Sequence, residues 1–171
     1  MQLIGVTSIL LLAVALPALA DELPLRKPGL WQVEMNIGNR NAQTMQQCID
    51  AATDQLLQSS GGPASRAACS KRDVQRSANS ITLDSTCTIG GKTTTTHSVI
   101  TGSFDSAYTM TVTPQSDNAP GGKTTMTIAA KWLGPCTADQ KPGDVIMANG
   151  MKTNVLNMQK GITSPGSPPP P

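Results

Sequence analysis

The chain has 171 residues, with 13 Lys and Arg against 11 Asp and Glu and a formal net charge of +2. That length suits one ordinary domain, and scattered, nearly balanced charge with no basic stripe excludes a nucleic-acid surface. The only aromatic residues are Trp31, Phe104, Tyr108 and Trp132, so methionine and small aliphatics must fill a thin core.

Residues 3–16 form an apolar run, and Ala18-Leu19-Ala20 follows as a small-residue cleavage site. This is the layout of a secretory signal peptide over residues 1–20, with cutting expected after Ala20. The run is shorter than the roughly 20 apolar residues of a membrane span, so no span is expected in the mature chain. No cysteine lies near the cleavage site, which gives no indication of a lipid anchor. The expected location is the periplasm or the exterior. Residues 21–160 are expected to form a single disulfide-bonded β-rich domain, and residues 161–171 a disordered Pro-rich tail.

Period-two patterns dominate the mature chain. Trp31, Val33, Met35 and Ile37 alternate with Gln32, Glu34 and Asn36, giving a strand one apolar face. Residues 48–58 break the alternation and read as a short helix with Asp50 as a possible N-cap, stopped by Ser59-Ser60-Gly61-Gly62-Pro63. Two strands, residues 69–76 and 81–89, flank Ser77-Ala78-Asn79-Ser80. Arg66, Lys71, Arg72 and Arg76 are the densest basic stretch, but Asp73 interrupts it, and outward charges on an exposed strand explain it. Met110 and Val112 alternate with threonines, and Met126, Ile128, Ala130 and Trp132 do so with Thr125, Thr127, Ala129 and Lys131. β-Branched threonine suits the solvent face of a pleated sheet. Turns at Gly90-Gly91, Phe104-Asp105-Ser106-Ala107 and Pro120-Gly121-Gly122 separate the runs. The fold class is therefore mainly β: an antiparallel meander curled into a half-barrel or barrel-like sheet, with one or two short helices. Beyond Cys136, Lys141-Pro142-Gly143-Asp144 makes a turn. Val145, Ala148, Met151, Val155 and Met158 then fall at helical spacing, while Asn149-Gly150 favours a hairpin over the same residues 144–158. The final prolines cannot donate to a hydrogen-bond ladder.

The four cysteines, Cys48, Cys69, Cys87 and Cys136, read as two disulfides in an exported chain. Three pairings exist. In the hairpin of residues 69–89, Cys69 and Cys87 fall nearly opposite each other, which leaves Cys48 for Cys136. The pairing of Cys48 with Cys69 and Cys87 with Cys136 stays open. There is no C-x-x-C spacing and His97 is the only histidine, so no zinc site and no other metal or cofactor is implied.

Catalytic residues are not indicated. His97 stands between Thr96 and Ser98 with no Gly-x-Ser-x-Gly elbow in the chain. Asp50 and Asp54, four apart on one helix, are accounted for by capping and solvation. The methionines weigh two ways. Thioethers bind Cu(I), and a helix would present Met147 and Met151 on one face with Met158 two turns beyond. Flexible core filling explains the same residues through their apolar phase.

Lys27-Pro28-Gly29-Leu30-Trp31-Gln32-Val33, then Gln43-Thr44-Met45-Gln46-Gln47-Cys48-Ile49, Cys69, Ser85-Thr86-Cys87, Tyr108-Thr109-Met110-Thr111 and Trp132-Leu133-Gly134-Pro135-Cys136 form an ordered set. This set resembles the bacterial exported family called domain of unknown function 3617, over residues 25–137. Lys141-Pro142-Gly143-Asp144 is similar to an extension in some relatives. The resemblance implies a β-rich, disulfide-bonded envelope protein with no established activity and no catalytic residues to carry over. Gly29-Leu30-Trp31 also resembles the G-x-W that opens the first strand of lipocalins, whose barrels hold apolar ligands. The leading expectation is a non-enzymatic module for a small apolar ligand or an envelope protein partner. Copper binding through methionines, a hydrolase using His97 and a purely structural envelope role are the alternatives.

Overall fold

A computed structural model describes residues 22–58, 68–89, 91–115 and 124–157. The run read as a signal peptide, the Pro-rich tail, Arg66, Met158 and the Ser59 to Pro63 and Pro120 to Gly122 stretches lie outside the described residues. The strands are β1 (Gly29–Ile37), β2 (Gln43–Ile49), β3 (Cys69–Arg76), β4 (Ser80–Ile89), β5 (Lys92–Ser103), β6 (Ala107–Gln115), β7 (Met126–Gly134), β8 (Asp144–Met147) and β9 (Lys152–Asn154). They form one sheet in the order β3-β4-β5-β6-β7-β1-β2-β8-β9, antiparallel at every step. The β3 to β7 stretch is a meander in chain order, and β1 docks on its last strand. The sheet curls without closing: β3 and β9 are its two ends, and the likeness to a lipocalin barrel stops at the first strand.

Register turns the alternation read in single strands into rows that cross the sheet. Ile81, Ile100, Met110, Ile128 and Met35 are successive partners, as are Leu83, Ser98, Val112, Met126 and Ile37 on the next row. A third row runs from Tyr108 through Ala130 and Val33 to Met45 and Met147. All three lie on the inner face, whose core is Trp31, Val33, Ile49 and Ala130 with Met45, Leu57, Tyr108, Ile128 and Trp132 packed against it. The threonines between these positions fall on the outer face and pair across strands, as in the contacts Thr86–Thr95 and Thr88–Thr93.

Two expectations need correction. The helix over residues 48–58 is α1 (Ala51–Gln58), because Cys48 and Ile49 finish β2 with their side chains buried in the core. Asp50 marks the change. Its carboxylate accepts from the Thr53 N–H at 2.8 Å while its own N–H donates to the Thr53 hydroxyl at 3.0 Å, a reciprocal cap. The helical reading of residues 144–158 gives way to the hairpin. Val145 and Ile146 pair with β2 and satisfy an edge that would otherwise carry unpaired backbone groups, and Gly150 takes φ +81° in the turn. Helical structure starts only at residues 155–157.

The structure joins Cys69 to Cys87 within the β3–β4 hairpin and Cys48 to Cys136 across 88 residues. The first holds the edge strand at its end. The second fastens the end of β2 to the segment that leaves β7.

Candidate functional site

The inner face carries a groove of about 380 Å³, within the size range of small-molecule sites. Its body is built from the crossing rows: Met35, Met110, Met126, Ile100, Val112 and Ile128. Two strand positions separate the Tyr108 row from the Met110 row, and two more separate that from the Val112 row, so the apolar track is about 14 Å long at 3.4 Å per residue. Met45 and Leu57 flank it where α1 lies against the sheet. The opposite, outer face is polar, with Glu34, Asn36 and Thr127 lining a shallow depression.

One end of the groove is different. Residues 22–28 cross over Trp31 as a strap, and Arg26 within it is 5% exposed. The Arg26 guanidinium lies 5.6 Å from the Trp31 ring centroid, and its Nε donates to Asp54 at 2.7 Å. The Arg26 backbone N–H and the Gln58 amide also donate to Asp54, each at 2.7 Å. Arg26 Nη1 donates to Gln47 at 2.9 Å. Tyr108 closes this end, stacked on Phe104 at 4.7 Å and tilted against Trp31 at 5.9 Å. Burial pushes the Tyr108 phenol above its ordinary value; the charge of Asp54 adds to this and Arg26 opposes it. The phenol therefore stays a proton donor at neutral pH. The strap is tied further by Gln58 donating to the Pro24 carbonyl, Lys27 N–H to Phe104, Trp31 Nε1 to Lys27 and the Arg76 guanidinium to the Glu22 carbonyl. The last of these links the strap to β3.

A family of proteins described as "protein of unknown function (DUF3617)" matches residues 26–136. The chain belongs to that family. Neither a curated protein nor a solved structure gives a match. The DUF3617 span begins at the buried arginine of the strap and ends at the cysteine bonded to Cys48. Apart from Leu23, every residue that lines the groove falls inside it.

The other sequence candidates lie elsewhere. His97 Nδ1 sits 2.8 Å from Asp84 Oδ1 with both side chains about two-fifths exposed, and register places the pair on the outer face, away from the groove. Asp50 caps α1, and hydrogen bonds from Thr53 hold its carboxyl below the usual range. Asp54, expected to be solvated, is fully buried, because its side of the first turn of α1 faces Arg26 of the strap. Its partner is 28 residues away, so no local spacing announces the pair. The weak signal is that Asp54 shares a helix face with Leu57. Met147 and Met151 flank a hairpin turn, Met147 N–H donating to the Met151 carbonyl at 2.9 Å, so no helix face presents them together. No group of three or more His, Cys, Asp or Glu suited to a metal exists among the described residues, and no described helix is long and apolar enough to cross a membrane.

Proposed function

We propose that this DUF3617 protein is an exported, non-enzymatic binding module of the periplasm or cell envelope that holds a small apolar ligand on the inner face of its sheet. The observation that carries the reading is the groove itself: a continuous apolar track of methionine, isoleucine and valine, walled at one end by a buried polar cluster. Methionine is flexible and polarizable, and a groove built from it adapts to the shape of an apolar occupant. The two disulfides are compatible with an oxidising compartment, and the N-terminal apolar run supports export. A position for the Asp84–His97 pair on the opposite face favours binding over hydrolysis at the groove.

Native mass spectrometry on protein purified from its own periplasm tests this. A lipid-sized mass increment, released by organic extraction, is the expected result. A bare polypeptide that also takes up no added apolar compound would overturn the carrier reading and leave a structural role or an envelope protein partner. A second reading, Cu(I) binding, draws on the thioethers of Met35, Met45, Met110 and Met126 in the one groove. Titration with Ag(I), a Cu(I) surrogate that spares the disulfides, would show tight stoichiometric uptake if it holds.

A further inference from the structure

We propose that the groove's ligand is a single-chain fatty carboxylate, its head held at Arg26 and Tyr108 and its tail along the methionine track. This rests on the carrier reading and adds the class of ligand. Of the five N–H groups of an arginine side chain, Arg26 uses Nε on Asp54 and one on Nη1 for Gln47. The guanidinium also bonds the Tyr108 hydroxyl oxygen, and no buried side-chain nitrogen or oxygen among the described residues lacks a partner. The little surface that Arg26 keeps, 5% of the residue, borders the groove. A nearly buried cation thus stands at the end of a mostly apolar track.

The surrounding polar groups fix the sign of the preferred head. Three donors converge on the Asp54 carboxylate, namely Arg26 N–H, Arg26 Nε and Gln58 Nε2, so its oxygens are engaged away from the groove. The Gln47 carbonyl oxygen is taken by Arg26 Nη1. The Tyr108 hydroxyl, whose oxygen accepts from Arg26, keeps its own proton to donate, and beside the cation it suits an acceptor-only head group such as a carboxylate. The track beyond them is about 14 Å long and lined by Met110, Ile128, Met35, Val112 and Met126, which an extended alkyl chain would fill.

The test is titration of delipidated, disulfide-intact protein with dodecanoate and with dodecanol at neutral pH, below their aggregation limits. Trp31, packed under Arg26, supplies a fluorescence signal. Dodecanoate is expected to bind about tenfold or more tightly than dodecanol, the margin of a charge-assisted over a neutral hydrogen bond. Arg26→Lys keeps a cation beside Asp54 while removing the guanidinium that bonds Tyr108, and Tyr108→Phe removes the hydroxyl donor without touching the ion pair. Each is expected to shrink the preference for dodecanoate several-fold. Equal or tighter binding of dodecanol overturns the head-group assignment and leaves the carrier reading standing. No binding of either compound removes both. An unchanged preference in folded Tyr108→Phe and Arg26→Lys proteins would contradict the placement of the head.

Discussion

Arg26 and Asp54 show how much one long-range pair can organise. Their side chains are 4% and 0% exposed, and removing one partner strands a charge where water cannot reach it. Asp54→Ala is expected to cost about 3–5 kcal/mol, read as a lowered urea midpoint. Changing both residues to apolar ones of similar volume should recover most of that loss. Glycine at position 29 has a different reason. Gly29 takes φ +133°, and a Cβ there would press on the Gly134 carbonyl and stand 2.6 Å from Trp132 Nε1. The G-x-W segment is thus a close crossing of β1 and β7, beside the register shift at Leu30 and Trp31. Gly29→Ala is expected to destabilise by roughly 2–4 kcal/mol, measurable by the same unfolding experiment.

At the scale of elements, the β8–β9 hairpin is stapled by one carboxylate. Asp144 accepts from Lys152 Nζ at 2.8 Å, Lys141 N–H at 2.8 Å and Asn154 Nδ2 at 2.9 Å. Burial alone would push its carboxyl up, but the hydrogen bonds from Asn154, Lys152 and Lys141 together outweigh that and hold it at about 2, against an ordinary 3.8. The folded value is the lower one, so the contribution is complete above pH 3.8 and is lost as pH falls toward 2. Stability should drop by roughly 2 kcal/mol over that window from this group, and Asp144→Asn should remove that part of the acid dependence. Legibility in the sequence divides by element too. β1, β4, β6 and β7 are readable because one face is apolar and the other threonine or charge. β2 is not: Gln43, Thr44, Gln46 and Gln47 blur its alternation, and it becomes a strand by pairing with β1 and β8 on either side. Residues 144–158 admit both hairpin and helix because Val145, Met151 and Val155 satisfy helical spacing, and the edge of β2 decides between them. The groove's apolar rows are visible strand by strand; the Arg26–Asp54 end is invisible, since only folding brings the strap onto α1.

For the whole molecule, the two disulfides offset a core with few aromatics. In the chain-entropy picture, the bridge spanning 88 residues contributes about 4–5 kcal/mol and the one spanning 18 about 3 kcal/mol. Replacing Cys48 and Cys136 by serine should therefore lower stability more than replacing Cys69 and Cys87, and calorimetric melting of the two double variants compares them. The DUF3617 fold so stapled stays an open curled sheet whose inner face is roofed by α1 and the strap. That geometry makes the central claim local: an apolar ligand sits on the inner face. Methionine-methyl NMR with dodecanol as the added compound reads it directly. The signals of Met35, Met45, Met110 and Met126 are expected to shift together on titration, while Met151, 58% exposed beyond the hairpin turn, stays in place. Unmoved groove methionines at saturating dodecanol, or a shift confined to Met151, would contradict the account.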